Sequence, residues 1–314
     1  MRYVLGIDGG GTKTAAVILD EAGTEQGRGE GGPGNIATCD ETTLTASVQR
    51  AMHSALAAAG LSPDTRFTSV CAGVAGYTAK RRRAEFAQLL ARLVPADKHC
   101  LEPDYVVGYW GATEGEPGVI VSAGTGSVVY GRNRAGETHC VGGRGYLLGD
   151  RGSGYWIGQC ALKRTVLRME LTLPPDEFDR LLLEEIGAET LEDLIDWTYR
   201  DPRPARIAAL AELVSIAAER GYPHAREFLA KAADALANAC ALVLLVLQIE
   251  PDDAPVYRIG GLWNLHPMMV EEFEKRLGEH IASGNEKPYP ALLTRAPRHD
   301  AAYGAALLAL REYK

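Results

Sequence analysis

Tyr3-Val-Leu-Gly-Ile-Asp-Gly-Gly-Gly-Thr-Lys-Thr14, running into Ala15-Ala-Val-Ile-Leu19, is the stretch from which the fold can be read. Two apolar, β-branched runs flank a turn of three glycines, the pattern of a β-hairpin with a tip made of backbone only. Such a tip lets several amide N–H groups approach an anion closely. Gly9, Gly10 and Gly11 supply those amides, and Thr12, Lys13 and Thr14 add hydroxyls and a cation. Asp8, just before the glycines, stands where a carboxylate can hold a hydrated Mg²⁺ against a polyphosphate. A lone Gly-Gly-Gly would describe only a tight turn. The ordered set of strand, Asp, glycines, Thr and second strand points to phosphate binding.

The composition bounds the rest. At 314 residues two domains are expected. A formal net charge of −8 argues against non-specific nucleic-acid or anionic-membrane partners, so phosphate must be held locally. No apolar signal core precedes the first strand, and the longest apolar run, Ala239 to Leu247, is shorter than a bilayer span. Six cysteines scattered without a Cys-x-x-Cys pair suggest a reducing cytoplasm.

Further along, Glu25 to Glu30 supplies a third strand, and Asn35 follows the turn Gly31-Gly-Pro-Gly34. Thr43 to Ala59 has helical apolar spacing, and Phe67 to Val74 is a buried strand running into Gly76. Lys80 to Leu93 is a helix whose basic start, Lys80-Arg-Arg-Arg83, is most simply a solvated face. A short strand ends over Leu101 to Asp104, and a helix follows from Asp104 to Thr113. Three antiparallel strands followed by parallel crossovers make an α/β layer sandwich. From Gly118 the pattern restarts: strand Val119–Ser122, turn Gly124-Thr125-Gly126-Ser127, strand Val128–Tyr130. Duplicated domains around one cleft are therefore expected. Asp176 to Leu247 reads as helices, Val256–Ile259 as a strand into Gly260-Gly261, and a helix then runs to Ala282. Ala291 to Thr294 reads as a last strand and His299 to Arg311 as a closing helix.

Three glycine turns at strand ends, with Asp104 between the first two, resemble the sugar-kinase/actin/Hsp70 ATPase superfamily. The chain is most similar to its N-acetylglucosamine kinase and BadF/BadG-type ATPase family, over essentially its full length. The most specific piece is Cys140-Val-Gly-Gly-Arg-Gly-Tyr-Leu-Leu-Gly-Asp-Arg-Gly-Ser-Gly-Tyr-Trp156, which resembles the family's Gly-Gly-Trp-Gly…Gly-Asp-Glu-Gly-Ser-x-Tyr-Trp stretch. Arg144 and Arg151 depart from it, replacing Trp and Glu. The resemblance implies two ribonuclease H-like lobes, each a mixed sheet flanked by helices. Residues 1–115, completed by 300–314, would form one lobe, and 116–299, with a helical insertion, the other.

It further implies an ATP- and Mg²⁺-dependent amino-sugar kinase, first for N-acetylglucosamine, in a homodimer. Gly9 to Thr14 and Gly124 to Ser127 would be the phosphate loops, and Gly260-Gly261 the adenosine contact. Asp104 would be the general base, against the alternative that it is a helix N-cap. Asn35, Gly76, Gly143, Arg144, Gly145 and Asp150 would bind the sugar, with Ser153 and Tyr155 as weaker candidates. Glucosamine and N-acetylmuramic acid are alternative acceptors, and Arg144 suits the acidic lactyl group of the latter. A reading of another class is an ATPase activator of a reductase or dehydratase, for which Cys140 and Cys160 are the nearest thiol pair.

Overall fold

The computed structural model describes residues 2–201, 203–250, 255–282 and 294–313. The chain separates into two compact units, Met1–Pro117 with Ala296–Lys314, and Gly118–Arg295.

In the first unit, β1 (Tyr3–Gly9), β2 (Thr14–Asp20) and β3 (Glu25–Gly31) form an antiparallel meander. β4 (Phe67–Val74) and β5 (Ala96–Pro103) add in parallel on the other side of β1, giving the order β3-β2-β1-β4-β5. Helices α1 (Glu41–Ala58) and α2 (Lys80–Leu93) belong to one face, and α3 (Asp104–Thr113) and α11 (Ala301–Tyr313) to the other. The central strands read as continuous apolar runs because both faces are covered. Leu5 and Ile7 point into one core, and Val4, Val17 and Leu19 into the other.

β3 shows how sequence sets packing. Its alternating Gly27, Gly29 and Gly31 face Ala55, Ala51 and Ser47 of α1, and a Cβ on any of them would come within 2.3 Å of an α1 carbonyl oxygen. Small residues four apart on the helix meet glycines two apart on the strand, so helix and sheet backbones touch.

Two features depart from the sequence reading. β5 runs eight residues rather than ending a short strand at Leu101–Asp104. Its exposed Asp97, Lys98 and His99 conceal the apolar alternation, as befits an edge strand. The cysteines, far apart in sequence, include one spatial pair: Cys71 and Cys100 are register partners on β4 and β5, and the free Cys71 thiol is buried.

In the second unit, β6 (Gly118–Ala123), β7 (Ser127–Arg132) and β8 (Thr138–Gly142) form the antiparallel meander. β9 (Val256–Ile259) pairs in parallel with β6, giving the order β8-β7-β6-β9. The expected last strand over Ala291 to Thr294 lies mostly outside the described residues; Arg295 makes a parallel bridge to Tyr257.

α4 (Gly154–Glu170) carries the end of the Cys140–Trp156 stretch. The helical region after it divides into α5 (Glu177–Ile186), α6 (Leu191–Arg200), α7 (Pro204–Ala209), α8 (Ala211–Glu219) and α9 (Pro223–Val246). Gly187 in the left-handed conformation ends α5, and the capping box of Thr190 with Asp193 starts α6. Gly261–Asn264 is a 3₁₀ turn before α10 (Pro267–Ala282), because Trp263 donates Nε1 to Val121 O and Ile259 O, both at 3.1 Å.

α9 is 24 residues long and apolar enough to cross a membrane by composition. The apolar run from Ala239 is the C-terminal part of this helix. α9 buries Leu229, Leu236, Val243 and Leu244 in the core of its unit and exposes Leu242, Leu245 and Val246.

Candidate functional site

Gly9, Val74 and Pro103 are in register across β1, β4 and β5, so three chain segments leave the sheet at one edge. They are the Gly9–Thr14 turn, Ala75-Gly76 and Asp104. Carboxyl ends of parallel strands are where open α/β sheets bind ligands.

The segments are tied together by backbone. Ala75 N–H donates to Gly9 O at 2.9 Å, Gly34 N–H to Gly10 O at 2.8 Å and Ile36 N–H to Ala75 O at 3.1 Å. Asn35 thereby comes against Gly76, where a Cβ would lie 2.6 Å from Asn35 Oδ1. Gly76 also has φ +82°, so both its conformation and its neighbour require glycine. Asn35 Oδ1 accepts from Ala37 N–H at 2.9 Å, which fixes the carboxamide in a local turn. Arg82 of α2 holds this loop through Ile36 O at 2.8 Å and through Cys39 O. Arg82 is therefore a structural tie, in contrast to the solvated face read from its basic run.

Asp104 is exposed and is the first residue of α3. It is not the N-cap: that position is Pro103, and no side-chain cap bond is made. Its Oδ1 accepts from Tyr105 N–H at 2.9 Å.

Asp8 is half-buried, and its carboxyl is pushed up to about 7. Burial is the main cause, followed by the charges of Asp104 and Asp300, with Lys13 opposing them. Asp300 stands just before α11. It accepts from Tyr303 N–H at 2.9 Å and pairs with Arg28, but it also adds to the negative field on Asp8.

The remaining first-loop residues divide. Gly11 and Thr12 are exposed, and Gly10 N–H closes the turn onto Lys13 O at 2.9 Å. Lys13 Nζ pairs with Glu30 at 2.7 Å. Thr14 is fully buried, and its Oγ1 has no hydrogen-bond partner. Among the described residues, no group of three or more His, Cys, Asp or Glu side chains is placed to hold a metal by itself. The donor set still fits a hydrated divalent cation, which needs one or two carboxylates beside a phosphate. Uncompensated acid around Asp8 is the feature such an ion would neutralise.

In the second unit the Gly124–Ser127 turn is gripped by the Cys140–Trp156 stretch. Gly143 N–H donates to Ser127 O at 2.9 Å, Gly154 N–H to Gly124 O at 2.8 Å and Tyr155 N–H to Thr125 O at 3.2 Å. Ser127 Oγ donates to Arg151 O at 2.9 Å. Asp150, with φ +54°, accepts from the backbone N–H groups of Ser127 and Gly145, while burial raises its pKa. A Cβ on Gly126 would fall 2.8 Å from Asp150 Oδ2. Ser153 is fully buried and caps α4 through Trp156 N–H at 3.2 Å, and Tyr155 is buried against Tyr146. The Ser153 hydroxyl is thus engaged as a cap and the Tyr155 ring packs in the core. Gly260 has φ +100°, and its Cβ would lie 2.2 Å from Ala123 O; Gly261 next to it faces open space.

A pocket of about 320 Å³ lies wholly within this unit, beneath the segment Arg144–Arg151 and against α9. Its lining includes Ser127, Arg144, Asp150, Arg151, Asp234 and Asn238. The α9 side chains among these carry no motif and were not singled out from sequence.

The chain is similar to proteins of known kind. A curated N-acetylmuramic acid/N-acetylglucosamine kinase from Clostridium acetobutylicum is 28% identical, with 99% of each chain covered. An N-acetyl-D-glucosamine kinase from Dictyostelium discoideum is also 28% identical, over 99% of this chain and 98% of that one. The solved structure of a candidate N-acetylglucosamine kinase from Chromobacterium violaceum superposes with a TM-score of 0.80 at 28% identity, covering 99% of both chains. The BadF/BadG/BcrA/BcrD ATPase family model matches residues 5–309, so the chain belongs to that family.

Proposed function

We propose that the protein is an ATP-dependent amino-sugar kinase, with N-acetylglucosamine as the first acceptor. The observation that carries this is the sheet edge of the first unit, where a glycine turn, Asp8 and Asp104 stand together and Asp8 titrates near 7. An acid whose carboxyl is pushed up by burial and neighbouring carboxylates, beside anion-binding amides, is suited to a site that receives a cation and a polyphosphate together. The names of the full-length relatives support the same reading.

In this reading Gly9 to Thr14 and Gly124 to Ser127 bind phosphate oxygens, and Gly260-Gly261 packs on the nucleoside. Asp8 would hold a hydrated Mg²⁺. When bound, Mg²⁺ neutralises charge on the transferring phosphoryl group. Asp104, exposed at the sheet edge, orients the acceptor hydroxyl and takes its proton as that oxygen attacks the γ-phosphorus and the bond from phosphorus to the β,γ-bridging oxygen breaks, releasing ADP. Asn35, Gly76, Gly143, Arg144, Gly145 and Asp150 contact the sugar.

A second acceptor class has an observation in its favour. Arg144 and Arg151 line the pocket, and neither forms an ion pair among the described residues. Two open guanidinium groups favour an acidic sugar such as N-acetylmuramic acid. The test is purified protein with ATP and a panel of N-acetylglucosamine, N-acetylmuramic acid, glucosamine and glucose, each read by mass for the phosphorylated sugar. Turnover concentrated on one or both N-acetylated sugars is expected. No turnover on any amino sugar would overturn the proposal.

A further inference from the structure

α9 forms the wall of the second-unit pocket that faces the Arg144–Arg151 segment. Asp234, Asn238 and Leu242, four residues apart, bring one helical stripe to the lining, together with Ala235 and Ala239. The volume is at the lower end of small-ligand sites, about 300–1,000 Å³.

Apart from the guanidinium groups of Arg144 and Arg151, the polar side chains of the lining other than Asn238 are engaged. Asp150 accepts from two backbone N–H groups. Asp234 Oδ1 is bonded to His280 Nε2 at 2.9 Å. Asn238 is exposed on α9, and its carboxamide makes no hydrogen bond to a described residue, so it is open to a ligand. A carboxamide offers both a donor and an acceptor, the complement of a secondary amide's C=O and N–H. Ala235, Ala239 and Leu242 of the same helix line the pocket with it, as does the largely exposed Leu148. An amide-complementary group next to a small apolar surface matches an acetamido substituent, whose polar bond ends in a methyl.

We infer that Asn238 is a specificity-determining residue that recognises the 2-acylamino group of the acceptor sugar, with Ala239 and Leu242 seating its acyl methyl. This rests on the amino-sugar kinase reading and adds to it the residue that separates acylated from free amino sugars. Asp234, held by His280, shapes the wall beside it.

The experiment compares wild type, Asn238→Ala and Ala239→Leu in two measurements. The first is kcat/KM for N-acetylglucosamine and for glucosamine at saturating ATP. In Asn238→Ala the preference for the acetylated sugar is expected to fall about tenfold, through KM rather than kcat, as for one lost ligand hydrogen bond. Ala239→Leu, which fills the apolar part without removing a polar group, is expected to lower the same preference. The second is saturation-transfer NMR of N-acetylglucosamine on the protein without nucleotide, which needs no turnover. The acetyl methyl is expected to receive saturation from wild type and to lose most of it with Asn238→Ala. An unchanged preference in both variants, or an acetyl methyl signal absent from wild type or indifferent to Asn238, overturns the inference. An Asn238-dependent methyl signal in a protein that phosphorylates no sugar would instead overturn the kinase reading and leave the inference standing.

Discussion

The Gly9–Thr14 turn and the Gly124–Ser127 turn share one plan, a glycine tip between antiparallel strands at the centre of a mixed sheet. Their surroundings are opposite. The first turn is preceded by Asp8, whose carboxyl feels the charges of Asp104 and Asp300, with Lys13 opposing them and Arg28 paired to Asp300. The second has Ser122 and Ala123 before it and is clamped by backbone hydrogen bonds from Gly143, Gly154 and Tyr155. Its one nearby carboxylate, Asp150, is itself hydrogen-bonded to the turn. One turn is left electrostatically unbalanced, and the other is already satisfied in shape and charge. The two turns share a backbone plan; one is set apart by charge and the other by its backbone clamp.

The largest effect that tests this contrast is Asp8→Asn, expected to lower phosphoryl transfer by about a hundredfold or more. It should also stabilise the ligand-free protein in a pH-dependent way. The Asp8 carboxyl is raised from 3.8 to about 7, so its stabilising protonation is complete below about pH 4 and lost as pH rises through 7. Melting temperatures of Asp8→Asn and wild type should therefore converge near pH 4. The variant should gain steadily up to about pH 7 and hold its lead above. A difference that is flat with pH would show that Asp8 is not unbalanced.

A smaller effect is expected at the second turn. Gly126→Ala places a methyl against Asp150 Oδ2 and should cost about 1–3 kcal/mol by overpacking. Asp150→Ala in the same chain should recover most of that loss, because the clash and the carboxylate leave together. Additive losses in denaturant unfolding would mean that the two residues do not meet. The smallest effect is that of Gly261→Ala, where a Cβ meets nothing within 4 Å. Stability should stay within about 0.5 kcal/mol of wild type while ATP affinity falls, since only the nucleoside would feel the methyl. Unchanged ATP affinity would remove Gly261 from the nucleotide site.

The contrast also explains what could be read from sequence. Strands β1, β4, β6 and β9 are buried apolar runs stopped by glycine, so period and punctuation agree. β5 and β8 were harder, because edge strands carry exposed polar residues and β8 lies inside the Cys140–Trp156 stretch. The glycine turns and Asp104 were legible because backbone approach and a carboxylate at a strand end leave a residue-type trace. Asp300, Arg82 and Asn238 left none. They matter through neighbours brought from 292, 46 and 94 positions away respectively (300 − 8, 82 − 36, 238 − 144), and only the folded chain makes those meetings.

Asp104 is where the two halves of the account meet, since its role separates a sugar kinase from a nucleotide-binding fold with a helix at the same place. The decisive measurement is Asp104→Asn, assayed for transfer of the γ-phosphoryl group to N-acetylglucosamine and, by calorimetry, for binding of a non-hydrolysable ATP analogue. Transfer should fall by about two to four orders of magnitude while analogue affinity stays within about threefold of wild type. Transfer retained at near wild-type rate would contradict the assignment of Asp104 as the base and, with it, the proposed mechanism.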